Sequence, residues 1–351
     1  MWVRRLIALS VLWFAAVAAS PIVQREEIEA APPYPQSHAS TIVELADGTL
    51  AAAWFGGTGE GYADVAIWFA RRGRAGWEKP VAVARGAGEP TWNPVLFQPR
   101  GAPLRLFYKV GRTPNDWRGM VIASNDGGRH WGKPVALPAG VLGPIKNKPL
   151  VLADGSWLSP SSREEGVFPD DRWSIRMERS ADRGATWRVG AAIASPLGLQ
   201  AIQPSVLTLR GGALALVART RQGVLAGSRS ADSGRTWSPL VAIDLPNPNA
   251  GTDAVTLADG RQLIVYNHAA HWPDKPGYGP RWPLAVALSD DGVRWRRVLT
   301  VEDAPLAEGY AYPAVIQTRD GMVHVTYTVD RKLIRHVVID PARIDVEKEQ
   351  P

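Results

Sequence analysis

The chain has 351 residues, of which 45% are hydrophobic and 21% are charged, and these fractions are ordinary for a globular protein. The net charge is +6, but the basic residues are scattered and form no stripe on a known motif, so nucleic-acid binding is not expected. The absence of cysteine excludes disulfides, a lipid-attachment cysteine and a thiolate metal site.

The first 18 residues have the pattern of a secretory signal peptide. A basic start, MWVRR, precedes the apolar run LIALSVLWFAAVA, and Ala16-Val17-Ala18 forms a small-residue cleavage site. The apolar run is too short to indicate a membrane span, and an uncleaved anchor is the alternative. We therefore expect export to the periplasm or the medium, no membrane insertion after cleavage, and one domain over residues 19–351.

Six β-hairpin patterns follow, each with alternating apolar residues on both sides of a turn. The turn is Asp-Gly or an equivalent in IVELADGTLAAAW (42–54), LVLADGSWL (150–158), VLTLRGGALALV (206–217), VTLADGRQLIVY (255–266) and VIQTRDGMVHVTY (315–327), and LFQPRGAPLRLFY (96–108) is a weaker copy. The six units begin near His38, Pro90, Lys146, Gln203, Asn249 and Tyr312.

A second signature, Ser-x-Asp-x-Gly-x-x-Trp, ends four of the units. Its copies are SNDGGRHW (124–131), SADRGATW (180–187), SADSGRTW (230–237) and the shorter SDDGVRW (289–295). The spacing of about 50–60 residues is slightly longer than that of common propeller blades. Because the Ser and Asp side chains can bond neighbouring backbone N–H groups, we interpret these Asp residues as structural elements of tight turns.

This organisation predicts an all-β protein, a six-bladed β-propeller with four antiparallel strands in each blade. The first unit keeps Trp77 but lacks the Asp of the signature, and the sixth unit lacks the signature altogether. We predict that the N-terminal stretch IVQREEI (22–28) supplies the outer strand of the sixth blade. Such a strand closes the ring and removes exposed sheet edges.

The repeated signatures resemble the Asp-boxes, or bacterial neuraminidase repeats, of six-bladed sialidases. A closer resemblance, over roughly residues 36–340, is to the sialidase-like repeat family of bacteria and plants, carried by HASTIVELADGTLAAAWFGGTGEGYADVAIW, TWNPVLF, GPIKNKP, QPSVLTLRGGALALVARTR and YAYPAVIQTRDGMVHVTYT. Sialidases bind a sugar carboxylate with three arginines, use a tyrosine nucleophile paired with a glutamate, and use an aspartate as acid/base. A neutral phenol suits an anomeric carbon that bears a carboxylate, because that carboxylate repels an anionic nucleophile.

The resemblance implies positions for three of these groups. The tyrosine falls on Tyr312, with Tyr310 as its near neighbour if the register slips. The second and third arginines fall on Arg219 and Arg281, and a guanidinium fork binds a carboxylate at two points.

Three positions depart from the sialidase pattern. His38 stands where the first arginine would lie, and Gln203, which cannot accept a proton, stands where the glutamate would lie. In the loop of the acid/base aspartate, Glu60 is the nearest carboxylic acid and Asp64 is the other. These departures imply another sugar or a rearranged catalytic pair.

The loops at one mouth of a propeller gather residues from every blade. The segments TWNP (91–94), KVGR (109–112), GPIKNKP (143–149) and SPSSREE (159–165) contain the donors, acceptors and rings that a glycan site needs. They supply Trp92, Asn93, Lys109, Lys146, Asn147, Lys148, Ser161, Arg163 and Glu164. We expect no cofactor and no metal.

The sequence therefore predicts an exported glycoside hydrolase that acts on the non-reducing end of a glycan, which can be acidic. Glu60 is the predicted acid/base, Tyr312 the nucleophile or transition-state stabiliser, and Arg219 and Arg281 the anion binders, with His38 and Gln203 among the binding residues. The alternatives are a polysaccharide lyase acting on uronic acids and a non-catalytic glycan-binding propeller. The sugar, its linkage, the stereochemistry and the oligomeric state stay open.

Overall fold

Alternating apolar residues on both sides of short turns build antiparallel hairpins in all six repeat units. The computed structural model describes residues 19–167 and 170–344, and the strands within them form six sheets. The predicted signal peptide lies outside the described residues. The helices described are two short 3-10 turns, Pro114–Asp116 and Pro341–Arg343, and none is long and apolar enough to cross a bilayer.

The first three blades follow an N-terminal strand, β1 (Ile22–Glu27). Blade 1 contains β2 (Gln36–Glu44), β3 (Leu50–Gly57), β4 (Ala66–Gly73), β5 (Gly76–Trp77) and β6 (Val81–Arg85). Blade 2 contains β7 (Thr91–Phe97), β8 (Leu104–Val110), β9 (Arg118–Ser124) and β10 (Val135–Ala136). Blade 3 contains β11 (Leu150–Val151), β12 (Trp157–Glu165), β13 (Arg172–Ser180) and β14 (Arg188–Val189).

The last three blades repeat this order. Blade 4 contains β15 (Ala201–Thr208), β16 (Leu214–Thr220), β17 (Val224–Ser230) and β18 (Val241–Pro246). Blade 5 contains β19 (Asp253–Thr256), β20 (Gln262–Asn267), β21 (Leu284–Ser289) and β22 (Arg296–Glu302). Blade 6 contains β23 (Tyr310–Gln317), β24 (Val323–Val329) and β25 (Leu333–Ile339). The prediction of a six-bladed propeller is confirmed.

The N-terminal strand completes blade 6, as predicted. Strand β1 pairs antiparallel with β25, with Gln24 opposite Val338 and Glu27 opposite Arg335. The Arg335 guanidinium also binds the Glu27 carboxylate at 2.6 Å, so an ion pair supports the closure. The sixth blade thus combines a strand from the start of the described chain with three strands from its end.

Two blades differ from the predicted pattern. In blade 1, the lost signature is replaced by two strands, β5 and β6, which both pair with β4. In blade 3, β11 has only two residues, and Lys146, Asn147 and Lys148 lie in the segment before it. Prolines at 144 and 149 flank these three residues, and a proline cannot donate a sheet hydrogen bond.

The core lies between neighbouring blades. Leu263 and Val286 of blade 5 pack with Val315 and Val325 of blade 6, and similar clusters join blades 1 and 2, blades 3 and 4, and blades 4 and 5. Smaller clusters join blades 2 and 3 and blades 6 and 1, so each sheet is covered on both faces. The apolar packing holds the blades rigidly and leaves the axis to polar groups.

The Asp of each signature is engaged by its own turn. In blade 4, Asp232 accepts hydrogen bonds from the Thr236 amide at 2.9 Å and the Thr236 hydroxyl at 2.6 Å, and Ser230 donates to it at 2.8 Å. The hydroxyl and amide of Thr236 and the hydroxyl of Ser230 hold the pKa of Asp232 well below its usual range. Equivalent bonds form at Asp182.

Antiparallel pairing brings the predicted site residues to one end of the ring. The start of each inner strand lies beside the end of the strand that follows it, so His38 pairs with Phe55 and Tyr310 with Val329. The loops after the second strands emerge at this same end. Residues from every blade can therefore meet at one mouth.

Candidate active site

Bulges in four inner strands turn individual residues towards this mouth. The pairing register shifts in β2, β7, β15 and β23, and a residue with positive φ lies at each shift. These residues are Ala39, Asn93, Gln203 and Tyr312, with φ of 54°, 37°, 57° and 52°. Bulges redirect side chains, and such backbone strain is concentrated at functional sites.

Tyr312 lies at the centre of a group of cations. Its ring centroid is 5.7 Å from Lys146 Nζ, 5.6 Å from Arg219 Cζ and 6.0 Å from Arg281 Cζ. The His38 ring packs against it with 4.4 Å between centroids. Tyr310, the alternative position, instead packs its ring 6.2 Å from Tyr327 within the core between blades 5 and 6.

Gln203 contacts the hydroxyl of Tyr312. Its Nε2 donates to Tyr312 Oη at 3.4 Å, and its backbone N–H donates to Ser162 Oγ at 3.2 Å. The buried Oε1 atom has no hydrogen-bond partner among the described residues. The side chain predicted to replace the sialidase glutamate therefore does meet the tyrosine, but an amide cannot serve as its base.

The two predicted arginines converge on Tyr312 from blades 4 and 5. Arg219 Nη1 donates to the Asn249 carbonyl at 3.1 Å, and its guanidinium lies 5.4 Å from the centroid of Trp173. Arg219 Nε and Arg281 Nη1 are buried without a hydrogen-bond partner among the described residues. Buried guanidinium donors are rarely left unsatisfied, so these two atoms are available to a bound ligand or to water.

A third arginine, Arg331, joins this group from the loop after β24. It has a φ of 54°, and the phenol of Tyr312 and the carboxylates of Glu60 and Glu308 are electrostatic neighbours of its guanidinium. Sequence reasoning missed Arg331 because Asp330-Arg331-Lys332 reads as an ordinary polar turn. Its place in the loop after the second strand of its blade, like that of Glu60 in blade 1, was the available signal.

Two glutamates lie beside these cations. Glu60 Oε2 accepts a hydrogen bond from Arg331 Nη1 at 2.7 Å. Glu164, at the end of β12, is half-buried, and burial raises the pKa of its carboxyl despite the nearby Arg219. The other carboxyl in the Glu60 loop, Asp64, accepts hydrogen bonds from the Thr58 amide and hydroxyl at 2.9 and 3.0 Å, which is a structural role.

His38, which the sequence resemblance aligns with the first sialidase arginine, packs against Tyr312 as a neutral group. Burial, with the positive charges of Arg331, Arg281 and Arg219, holds its pKa well below the usual range. Both ring nitrogens are buried without a partner among the described residues. Its unsatisfied polar atoms face the same cluster.

The three predicted lysines are bound to the protein itself. Lys146 Nζ donates to the carbonyls of Thr252 at 3.0 Å and Pro313 at 2.6 Å, and burial lowers its pKa to about 7. Lys148 forms an ion pair with Asp253 at 2.7 Å. These bonds join the segment before blade 3 to blades 5 and 6.

Lys109 is also internal. It is fully buried and donates to the carbonyls of Ile145 at 3.2 Å, Asn93 at 3.4 Å and Pro144. Burial lowers its pKa to about 7. The contacts of Lys109 thus give it a structural role, and ligand binding by all three lysines stays a prediction.

The other predicted binding residues lie in varied positions. Asn147 Nδ2 donates to the Gln203 carbonyl at 3.0 Å, and Trp92 Nε1 donates to the Gly111 carbonyl at 2.7 Å. Asn93 is buried beside Trp92, whereas Arg163 donates to the Gly140 carbonyl at 2.6 Å in a partly exposed setting. Of these four, Asn147 lies next to the residue that contacts Tyr312.

An open cleft adjoins the cluster. Its volume is about 610 Å³, and its lining includes Glu164, Trp173, Arg221, Asn249 and Tyr278. The Arg221 guanidinium stacks 4.0 Å from the centroid of Trp173, while Tyr278 is exposed. Among the residues described, no group of three or more His, Asp or Glu side chains is arranged to hold a metal ion.

The six blades and the cationic cluster around a tyrosine define a sialidase-like β-propeller. The chain belongs to the family of the BNR repeat-like domain, whose sequence profile matches residues 48–325.

Solved structures share the fold at low sequence identity. A Dyadobacter fermentans protein of unknown function is 16% identical with a TM-score of 0.75, over 91% of this chain and 98% of that one. A Hadza microbial sialidase is 17% identical with a TM-score of 0.70, over 88% of this chain and 66% of that one. Comparison with curated proteins found no match.

The Trypanosoma rangeli sialidase shares the same fold. In its complex with the inhibitor DANA it is 17% identical to this chain with a TM-score of 0.66, over 87% of this chain and 55% of that one. The same sialidase has been solved as a covalent intermediate with 2,3-difluorosialic acid. Both sialidases are longer than this chain, which spans about half to two thirds of their length.

Proposed function

We propose that this protein is an exo-acting glycoside hydrolase that releases a terminal sugar bearing a carboxylate. The observation that carries the proposal is the convergence of Arg219, Arg281 and Arg331 on Tyr312. Guanidinium groups with unused buried donors suit a carboxylate, and a phenol between them suits an anomeric carbon next to that carboxylate. Three arginines and a tyrosine are also the groups that sialidases, which the sequence motifs resemble, present to a sugar carboxylate.

The substrate need not be a sialoside. Gln203 cannot remove the proton of Tyr312, so this contact does not supply the carboxylate base that the glutamate-paired tyrosine of sialidases has. His38 replaces a cation with a neutral ring. Both changes favour a carboxylated sugar other than sialic acid, with Tyr312 stabilising the cationic anomeric carbon of the transition state.

The proposal is tested by turnover of aryl sialosides and aryl uronides. The wild-type protein is expected to hydrolyse an acidic glycoside, and Tyr312→Phe to lose about 10²- to 10⁴-fold in kcat, the range typical of a group that acts in the transition state. Glu60→Gln is expected to lose activity as well, because Glu60 holds Arg331 in place. The exposed Tyr62→Phe is the matched control.

The assay also separates the two other functions. An unsaturated product, seen as a rise in ultraviolet absorbance with a uronide polymer, would favour a lyase in which a group such as Lys146 acts as base. Tight binding of an acidic glycan without any product would favour a non-catalytic propeller, for which the missing glutamate at 203 is the supporting observation. Wild-type turnover in both Tyr312→Phe and Glu60→Gln would contradict the assignment of these residues.

We further propose that the protein is exported. The support is the basic, apolar and small-residue pattern of residues 1–18. Fractionation of cells that express the full chain tests this: a processed form is expected outside the cytoplasm, and an unprocessed cytoplasmic form would contradict it.

A further inference from the structure

Glu164 lies at the boundary between the cationic cluster and the open cleft. Its side chain contributes to the lining of the cleft, together with Trp173 and Tyr278. Its carboxyl is also an electrostatic neighbour of Arg219 and of Glu60, which belong to the cluster. In an exo-acting enzyme, the bond that breaks lies between the bound terminal sugar and the leaving sugar. A group at this boundary is therefore next to that bond.

The two glutamates of the site have different partners. The carboxylate of Glu60 is engaged by Arg331, at 2.7 Å. Glu164 has no hydrogen bond or ion pair of that kind among the described residues, and burial and the nearby Glu60 and Asp171 carboxylates raise its pKa. A carboxyl without a protein partner is free to bond a substrate oxygen and donate its proton, whereas the Glu60 carboxylate is committed to its ion pair with Arg331.

The cleft beside Glu164 has the chemistry of a sugar site. Tyr278 presents an exposed ring, and Trp173 presents a ring supported on one side by Arg221. Asn115, Asn249 and Asp171 also line the cleft. A volume of about 610 Å³ is sufficient for a sugar residue and its neighbour.

We propose that Glu164 is the general acid/base of this site and that the adjoining cleft binds the leaving sugar. This inference rests on the proposed hydrolase function and moves the acid/base role from Glu60 to Glu164. Glu60 then acts as a positioning residue for Arg331.

The proposed reaction has two steps. In the first, the bond between the anomeric carbon and the glycosidic oxygen breaks, the electron pair stays on the oxygen, and Glu164 transfers its proton to that oxygen. The leaving sugar departs as a neutral alcohol, and the electron-poor anomeric carbon is stabilised by Tyr312 and the carboxylate of the sugar. In the second step, water forms a bond to the anomeric carbon and gives a proton to the Glu164 carboxylate, which restores the acid.

The test compares leaving groups in Glu164→Gln. With a substrate whose leaving group is a sugar or an alkyl alcohol, kcat is expected to fall about 10²- to 10⁴-fold, because such alcohols need protonation. A dinitrophenyl leaving group departs without a proton. With such a substrate, the rate constant of the first step in the variant is expected to fall less than about tenfold. The fall of kcat/KM at high pH, where the wild-type acid loses its proton, is expected to disappear.

The controls distinguish this inference from its alternatives. Glu165→Gln is the matched control, because Glu165 is the exposed neighbour of Glu164 on the same strand. Its kcat is expected to equal that of the wild type with every substrate. Glu164→Asp keeps a carboxylic acid, so its kcat/KM is expected to be lower than that of the wild type but still to fall at high pH. This variant replaces Glu164→Gln if the glutamine variant does not fold. Equal losses for all leaving groups in Glu164→Gln, or a leaving-group dependence that appears in Glu60→Gln instead, would overturn the assignment. Absence of turnover by the wild-type protein on the whole panel would overturn the proposed function together with this inference.

Discussion

At the scale of single residues, the site depends on guanidinium donors that are buried without full hydrogen bonding. Arg219 Nε and Arg281 Nη1 have no partner among the described residues, although both side chains pack against Tyr312. Such atoms cost stability in the free protein, and a bound carboxylate offsets that cost. We therefore expect the number and planar geometry of the guanidinium groups, more than the net charge, to determine which acidic ligand binds.

This argument predicts the effect of Arg219→Lys, which keeps the charge and removes the fork. We expect KM for an acidic aryl glycoside to rise at least about tenfold, because hydrogen bonds to charged groups contribute about 1.5–3 kcal/mol each. Steady-state kinetics measure the change, and Arg235→Lys, on an exposed signature turn, is the control. An unchanged KM would show that Arg219 does not contact the substrate.

At the scale of elements, the signature turns fit closely against their neighbours. Gly128, with a φ of 90°, lies in the turn after β9, and a Cβ atom there would lie 2.2 Å from the Phe69 ring of blade 1. The turn therefore needs glycine twice, for its backbone conformation and for the space beside the adjacent blade. A signature that is read as a local turn also contributes to packing between blades.

Substitution of two glycines separates these requirements. Gly128→Ala is expected to destabilise the protein by about 2–4 kcal/mol, from left-handed strain and from overpacking against Phe69. Gly140→Ala, with a similar φ of 85° and no atom within 4 Å of the added Cβ, is expected to cost about 1 kcal/mol. Urea unfolding measures both, and equal losses would mean that contact between the blades adds nothing at Gly128.

At the scale of the whole molecule, ring closure in blade 6 is supported by a buried chain of titratable groups. His324 Nδ1 and His336 Nε2 are 2.9 Å apart, His336 Nδ1 is 2.9 Å from Glu26 Oε1, and Arg72 Nε binds the same oxygen at 2.8 Å. Glu26 lies on β1 and the histidines on β24 and β25. Burial lowers the pKa of His324 to about 4 and also lowers that of His336, while the His336 hydrogen bond lowers the pKa of Glu26 to about 2.

These shifts predict that closure weakens in acid. A histidine whose pKa is lowered by folding takes up protons in the unfolded chain first, so stability is lost as pH falls from about 6.5 towards 4. The lowered pKa of the Glu26 carboxyl also stabilises the folded protein at higher pH. This contribution to the free energy of unfolding is lost as pH falls from about 4.5 to 2. For His324 the loss is about 3 kcal/mol by pH 4, at about 1.4 kcal/mol per pH unit.

Thermal unfolding of His324→Gln between pH 7 and 4 tests this prediction. The variant is expected to show a smaller decrease in Tm over this range than the wild type, whatever its Tm at pH 7. His130→Gln, whose side chain is 91% exposed, is expected to keep the wild-type decrease. A decrease as large in His324→Gln as in the wild type would contradict the role of His324.

The sequence by itself was sufficient for the repeat, the hairpins, the tight turns and the closing strand, because these depend on alternation and turn chemistry within one unit. It also indicated Tyr312, Arg219 and Arg281 through their resemblance to sialidase motifs. Only the tertiary structure distinguished Tyr312 from Tyr310, added Arg331, and showed that Lys109, Lys146 and Lys148 bind carbonyls and carboxylates of other blades. The physical reason is that these contacts join residues distant in sequence across the axis, where burial and charge depend on all the blades together.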